Sequence, residues 1–288
     1  MSSPAAEQWA RERSFHHSAF TAEQIARERT SSVSVCLPAR ECAGTVGRIV
    51  RQLVGLREQG AVDQVVVIDA ASMDGTGEVA AAAGAEVVQE AALMADYGEV
   101  LGKGDAMWRA LSVLEGELVC YLDADTEDFS AHFAVGLLGP LVTAEAVQLV
   151  KGFYRRPLGD AAEGGGRVNH LMARPALELF YPDLGAVRQP LGGEVAARRA
   201  LLETIPFATG YGVEIAMLID AWREVGLDGL AQVDLDVHRN HHQPLAALTP
   251  MATTVLATIA RRLAREGRLE DFDSGPVERP PLVRAGLA

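Results

Sequence analysis

Lysine is nearly absent from this chain of 288 residues: Lys103 and Lys151 are its two examples, and every other basic side chain is arginine. Basic charge as a whole is scarce, with 26 Lys plus Arg against 39 Asp plus Glu and a net charge of −13, and it forms no cluster. That argues against a duplex or membrane-surface binder, which neutralises phosphate with dense Lys and Arg. An anionic ligand must be gripped locally by a few residues. Cysteine is also scarce: Cys36, Cys42 and Cys120 are an odd number without CxxC spacing, which suits a reducing cytoplasm and gives no zinc or redox motif. No uncharged run approaches the ~18 apolar residues of a membrane span, and residues 1–20 mix acids and bases without an apolar signal core. The expectation is a cytoplasmic protein with neither membrane nor nucleic acid as partner. No GxGxxG follows the first strand and no GxxxxGK[ST] occurs anywhere, so an NAD-binding Rossmann domain and a P-loop NTPase lose their main support.

What is present is a repeating pattern. VSVCLP, residues 33–38, is a β-branched run closed by proline, as in a buried parallel strand. Residues 44–59 carry Val46, Ile49, Val50, Leu53, Val54 and Leu56 at helical spacing before Gly60. A strand over 62–69, a turn AASMDGTG, a short helix to about residue 83, a strand AEVVQE, a helix over 104–114 and a strand over 117–125 follow. Such alternation implies βαβ units and a mostly parallel sheet, in which ligands bind beyond the carboxyl ends of the strands. The domain reading is a leader over 1–31, a main α/β unit over 32–248 divided at 126/127, and a C-terminal region over 249–288, a helix (apolar stripe over 246–266) followed by a loosely ordered, proline-punctuated tail.

Asp123-Ala124-Asp125 closes the last of these strands. A hard divalent cation held by one or two carboxylates and by phosphate oxygens is the usual way to manage a diphosphate, so the pair suggests a metal–nucleotide site with Mg2+ or Mn2+. DxD alone is a weak signal; its place after LVCYL strengthens it.

With SVCLPA, GKGDAMWRAL, YLDAD, QLVKGFYRRPL, GGGRV, ARP, QPLGGE and PFATGYGVEI in order, the chain resembles glucosyl-3-phosphoglycerate synthases over about residues 15–248. The resemblance implies an α/β GT-A fold: a Rossmann-like, mostly parallel sheet with flanking helices and a mixed acceptor half. It also implies a metal-dependent retaining transfer from a nucleoside-diphosphate sugar to a small anionic acceptor, and a homodimer. Pro38, Ala39 and Arg40 would line the nucleotide site with Asp69, Asp123 and Ala124, and Lys103 would sit beside the donor. Asp125 would bind the metal. Leu191 would offer a carbonyl near the anomeric carbon, with Tyr211 and Glu214 around the sugar. Gly165, Gly166 and Arg167 would take the acceptor's phosphate, which suits a glycine turn and a guanidinium fork. Asn240 would face the acceptor carboxylate. Imidazole is a common ligand for divalent metals, and keeping HRN in register selects His238, with His241 or His242 as alternatives.

Three positions depart from the family pattern. Cys42 stands where an acidic residue reads uracil, Ala70 where a serine does, and Asn169 where a threonine holds phosphate. A site that has lost such hydrogen bonds discriminates differently. One version is therefore glucosyl-3-phosphoglycerate synthesis from an NDP-glucose, UDP- or GDP-linked. Another is a specialised-metabolite transferase such as the lincosamide S-glycosyltransferase, joining a GDP-linked octose to the thiol ergothioneine. From a different class, the chain would be a non-catalytic nucleotide-binding module.

Overall fold

The computed structural model describes residues 2–159, 161–240, 243–270 and 277–285. Its elements in the first part are α1 (Pro4–Glu12), β1 (Ser14–His16), α2 (Ala22–Glu28), β2 (Val33–Ala39), α3 (Ala43–Glu58), β3 (Gln64–Asp69), α4 (Thr76–Ala82), β4 (Glu86–Gln89), α5 (Lys103–Ala110) and β5 (Leu118–Tyr121). Then come α6 (His132–Thr143), β6 (Leu149–Arg155), β7 (Pro157–Leu158), β8 (Ala161–Gly164), α7 (Arg174–Phe180), β9 (Val195–Arg198), α8 (Arg199–Thr204) and β10 (Phe207–Ala208). The last are α9 (Val213–Val225), β11 (Leu230–Val237), α10 (Leu248–Arg265), β12 (Glu278–Arg279) and α11 (Leu282–Ala285).

Eight strands form the main sheet in the order β1-β11-β6-β9-β5-β2-β3-β4, parallel throughout except for both pairings of β9. Alternate residues of the central strands enter two cores: Cys36, Val66, Ile68 and Tyr121 pack on one side, and Val35, Leu37, Val67 and Cys120 on the other. Helices cover both faces, which is why these strands read as unbroken apolar runs. The α/β, mostly parallel architecture expected from the sequence is present. Because β9 is antiparallel, the loop before it arrives at the same sheet edge as the carboxyl ends of β2, β5 and β6. That geometry gathers the functional segments.

Several expectations need correcting. The fifth strand stops at Tyr121, and Asp123 to Asp125 leave it in a turn, because the ladder with β2 ends at Cys36 and that with β9 at Val195. The helix expected over 104–114 ends at Ala110 and continues as turns. The leader is built into the fold: β1 pairs with β11, and buried Trp9 donates its indole N–H to the Leu230 carbonyl at 2.8 Å. The described part of the tail is docked rather than loose. β12 pairs with β10, Leu282 is buried, and Arg279 reaches Asp105 with two hydrogen bonds of 2.6 and 2.7 Å. Pro280 and Pro281 suggest a loose segment, but a buried carboxylate supplies the anchor that local sequence does not reveal. Among the described residues, no helix is long and apolar enough to cross a membrane.

Candidate functional site

A cleft of about 660 Å³ opens at the carboxyl ends of the strands. Gly102, with φ of +84°, turns the chain into α5 and makes Lys103 its first residue. This helix can approach its neighbours only because residue 104 lacks a side chain: a Cβ on Gly104 would lie 2.0 Å from the Ala208 carbonyl oxygen. Lys103 Nζ donates to Asp123 Oδ1 at 2.6 Å and pairs with Glu214 Oε1 at 3.0 Å. Burial favours the neutral amine, but Asp123 and Glu214 outweigh it and hold the lysine pKa well above its ordinary value. Glu214 occupies the first turn of α9, where the helix dipole favours an anion.

The turn carrying Asp123 and Asp125 is pinned by Thr45, whose hydroxyl donates to the Ala124 carbonyl at 2.6 Å. Gly193 allows Asp123 its place, since a Cβ there would come within 2.3 Å of Oδ1. Asp125 is open to solvent at the cleft wall. Protein crowding around it and then the charge of Asp123 raise its pKa. Carboxylates that resist ionising together are a donor set that a hard divalent cation relieves, so these residues fit such an ion.

His238, expected from HRN to bind metal, lies behind the cleft wall. β11 carries it inward, where its N–H bonds to the Arg155 carbonyl at 3.0 Å and its ring stacks on Tyr154 at 4.4 Å. Its Nε2 lies 3.0 Å from Glu194 Oε1 and 3.1 Å from Thr126 Oγ1, while Nδ1 is buried without a partner. Burial lowers its pKa, and Glu194 more than offsets this to leave it raised. Asp123, Glu194 and His238 together bring three ligand atoms within 4.8 Å of one another, directly behind the cleft. His241 and His242 lie outside the described residues.

Pro38, Ala39, Arg40, Cys42 and Ala70 line one end of the cleft. Asp69 does not: it is buried, with Oδ2 accepting from Gln89 Nε2 at 2.7 Å and Oδ1 from the Ser72 N–H at 3.3 Å, so it holds the turn rather than facing a ligand. Cys42 precedes α3 and donates to the Arg40 carbonyl at 3.1 Å, and burial pushes its thiol up to about 11. Glu90, missed in the sequence, joins this end and has its pKa raised by burial.

Gly166, Arg167, Asn169 and Asn240 line the other end, with Leu191, Tyr211 and Glu214 between the two. Two details differ from expectation. The Gly165 N–H is spent on the Arg156 carbonyl at 2.9 Å, so the glycines do not offer a run of free donors. Asn169 is buried and gives its amide to the Arg188 carbonyl at 3.2 Å. Positive charge comes instead from Arg167, which donates to the Gln243 carbonyl at 2.5 Å, and from Arg156, which donates to Asn240 Oδ1. Arg156 and Glu194 were missed although both fall in the matching segments QLVKGFYRRPL and QPLGGE. Glu90 gave no signal, because β4's end carries no motif.

A family model described as glycosyl transferase family 2 matches residues 34–137. Glucosyl-3-phosphoglycerate synthase of Mycolicibacterium smegmatis is 43% identical over 88% of this chain and 85% of that protein. The crystal structure of mannosyl-3-phosphoglycerate synthase from Rubrobacter xylanophilus superposes with a TM-score of 0.92 at 43% identity, covering 99% of each chain. Glucosyl-3-phosphoglycerate synthase from Mycobacterium tuberculosis, crystallised with Mn2+, UDP-glucose and phosphoglyceric acid, gives 0.83 at 38% identity over 92% of this chain and 95% of that one. The chain belongs to the glucosyl-3-phosphoglycerate synthase family of glycosyltransferases.

Proposed function

We propose that the cleft transfers a glycosyl group, with retained anomeric configuration, from a nucleoside-diphosphate sugar to a phosphoglycerate-like acceptor. The observation that carries this reading is Lys103 bridging Asp123 and Glu214 in a cleft that Asp125, Arg156 and Arg167 also line. The donor's nucleotide lies along Pro38 to Cys42 and its diphosphate beside Lys103. Asp125 would hold a divalent cation, with His238 reaching it through the Asp123–Glu194 cluster; when bound, that ion supplies charge neutralisation on the departing diphosphate. Lys103 adds a fixed positive charge next to the same leaving group. Glu214 fixes sugar hydroxyls, and the Leu191 carbonyl faces the anomeric carbon. Arg156 and Arg167 hold the acceptor's anionic groups so that its hydroxyl attacks from the side the diphosphate leaves. Asp123 and Glu214 are both bound to one ammonium, an arrangement that leaves no free carboxylate pair for double displacement.

The proteins compared with this one are named for glucosyl and mannosyl transfer to 3-phosphoglycerate, and the Mycobacterium tuberculosis complexes contain Mn2+ with UDP-glucose. We therefore expect Mn2+ or Mg2+ to support transfer to 3-phosphoglycerate and EDTA to abolish it. NMR of the product then gives the anomeric configuration, and an inverted product overturns the retaining mechanism. The absence of transfer with any donor overturns the whole reading.

Cys42 and Ala70 favour a second version in which the donor base is not uracil. A thermal-shift panel of UDP, GDP, ADP and TDP with metal separates the two, because the preferred nucleotide stabilises the fold most. The two guanidiniums favour a phosphorylated acceptor over a thiol such as ergothioneine, and competition between the two acceptors tests that. Exposed Leu171 and Leu179 are compatible with the homodimer that the resemblance implies, which sedimentation measures directly.

A further inference from the structure

Three of the seven histidines lie away from the cleft, at the β1–β11 edge of the sheet. His16 and His17 end β1 and begin the turn after it, and their rings lie 4.4 Å apart. His17 also stacks on His132 of α6 at 4.2 Å, so it is held from both sides. Facing both is Asp236 of β11: Oδ2 lies 2.7 Å from His17 Nε2 and Oδ1 lies 3.4 Å from His16 Nε2. His16 Nε2 or Nδ1, His17 and Asp236 bring their ligand atoms within 4.8 Å of one another.

Two further observations show that this convergence is built rather than incidental. Asp236 has a φ of +67°, in the left-handed region, where the register of β11 against β6 shifts between Asp234 and Val237. Asp tolerates that backbone better than most residues, and a bulge of this kind re-aims a side chain. On the other side, His16 Nδ1 accepts the Ser18 N–H at 3.2 Å and lies 2.7 Å from Ser18 Oγ, so the turn after β1 holds the ring with Nε2 directed at Asp236. A single ion pair between His17 and Asp236 accounts for one contact, and the Asp236 N–H donating to Asp234 Oδ1 at 3.0 Å holds the bent backbone; neither accounts for the second imidazole on the same carboxylate.

We propose that His16, His17 and Asp236 form a metal site outside the cleft. Two imidazoles and one carboxylate select a borderline divalent ion such as Zn2+ or Co2+ over Mg2+ or Ca2+, which prefer all-oxygen sites. The side chains of His16 and Asp236 are about half exposed, at 48% and 49%, so the ion is reached from solvent and completes its shell with water. It would tie β1, and with it the N-terminal segment, to the sheet edge.

The test is a titration of tag-free, EDTA-stripped protein with Zn2+ and Co2+, comparing wild type with His16→Gln, His17→Gln and Asp236→Asn. Wild type is expected to bind one more equivalent of Zn2+ than each variant, with affinity at that site reduced roughly tenfold or more by any one substitution. Wild-type Co2+ protein shows a visible absorption band that the variants lose, and Zn2+ raises the melting temperature of wild type alone. Mg2+ produces no difference between wild type and variants. Equal stoichiometry and equal Zn2+-induced shifts in all four proteins would overturn the proposal and leave an ion pair only. His16→Gln, at an exposed side chain, keeps the comparison valid if His17→Gln or Asp236→Asn disturbs folding.

Discussion

Helix α5 carries two charged clusters centred two residues apart, and they differ in balance. At its first residue Lys103 faces two carboxylates, with Asp125 close enough to be affected by the same charges. Two residues later Asp105 is fully buried and receives Arg109, Arg279 and the Leu101 N–H at 2.8 Å. Burial pushes the Asp105 pKa up, but hydrogen bonds from Arg279 and Arg109 outweigh it and hold it below the ordinary value. Arg109 in turn donates to the Leu93 and Gly98 carbonyls, both at 2.8 Å, and so fixes the loop leading into α5. The first cluster has surplus negative charge and open water beside it; the second is saturated and dry. A saturated cluster stabilises a fold, whereas an unbalanced one beside a cleft has work left for a ligand to do.

The largest effect should come from the saturated cluster. Asp105→Ala leaves two buried guanidiniums without their carboxylate, a loss of roughly 3–5 kcal/mol for a broken buried pair. Chemical denaturation should show that loss, together with release of the tail to proteolysis. Lys103→Met ranks next and should divide the other way: kcat falls about 10²–10³-fold, the usual loss for one electrostatic group at a leaving site, while the melting temperature drops less than in Asp105→Ala. Equal destabilisation by the two variants, with kcat unchanged in folded Lys103→Met, would erase the distinction.

The contrast also explains what the sequence could and could not show. GKGDAMWRAL contains members of both clusters, and Lys103, Asp105 and Arg109 look alike as letters. Periodicity placed the strands and α3 well, because a buried parallel strand and an amphipathic helix write their environment into neighbouring residues. Asp105's partner Arg279 is 174 residues away, in a stretch whose prolines suggested disorder. His238 was read from a tripeptide, yet its facing is set by the ladder between β11 and β6, which no local pattern encodes. The place of Asp69 was hidden in the same way: a strand-end carboxylate looks like a ligand until Gln89 is found on the neighbouring strand.

A smaller effect belongs to the acceptor end. Arg156→Met should raise KM for the phosphorylated acceptor about 10–100-fold, in line with roughly 1.5–3 kcal/mol for a hydrogen bond to a charged group, and leave donor KM nearly unchanged. Steady-state kinetics with each substrate varied in turn measures this. A uniform loss across both substrates would instead make Arg156 part of the scaffold, as Arg109 is.

The smallest and most discriminating effect concerns the second lysine. Lys151 is buried on β6, donates to the Gly192 carbonyl, and is brought down to about 8 by burial, which Glu214 and Glu194 only partly oppose. Lys103 shares the influence of Glu214 but moves in the opposite direction, because its carboxylates are in contact. Below pH 8 Lys151 is charged whether the chain is folded or not, and its desolvation penalty stands in full. Between about 8 and the ordinary lysine value of 10.5, the unfolded chain keeps a proton that the folded chain has lost, so stability rises with pH. Cys36 and Cys120 act oppositely: burial raises their pKa, so above the ordinary 9.0 the unfolded thiols ionise first and stability falls. Cys42, pushed up to about 11, acts in the same sense, and the thiols contribute alike in wild type and in Lys151→Met, so the difference between those two proteins reports the lysine. Between about pH 7 and about pH 8.8 the urea midpoint should fall in Lys151→Met relative to wild type, and an equal change in both would assign the effect to another group.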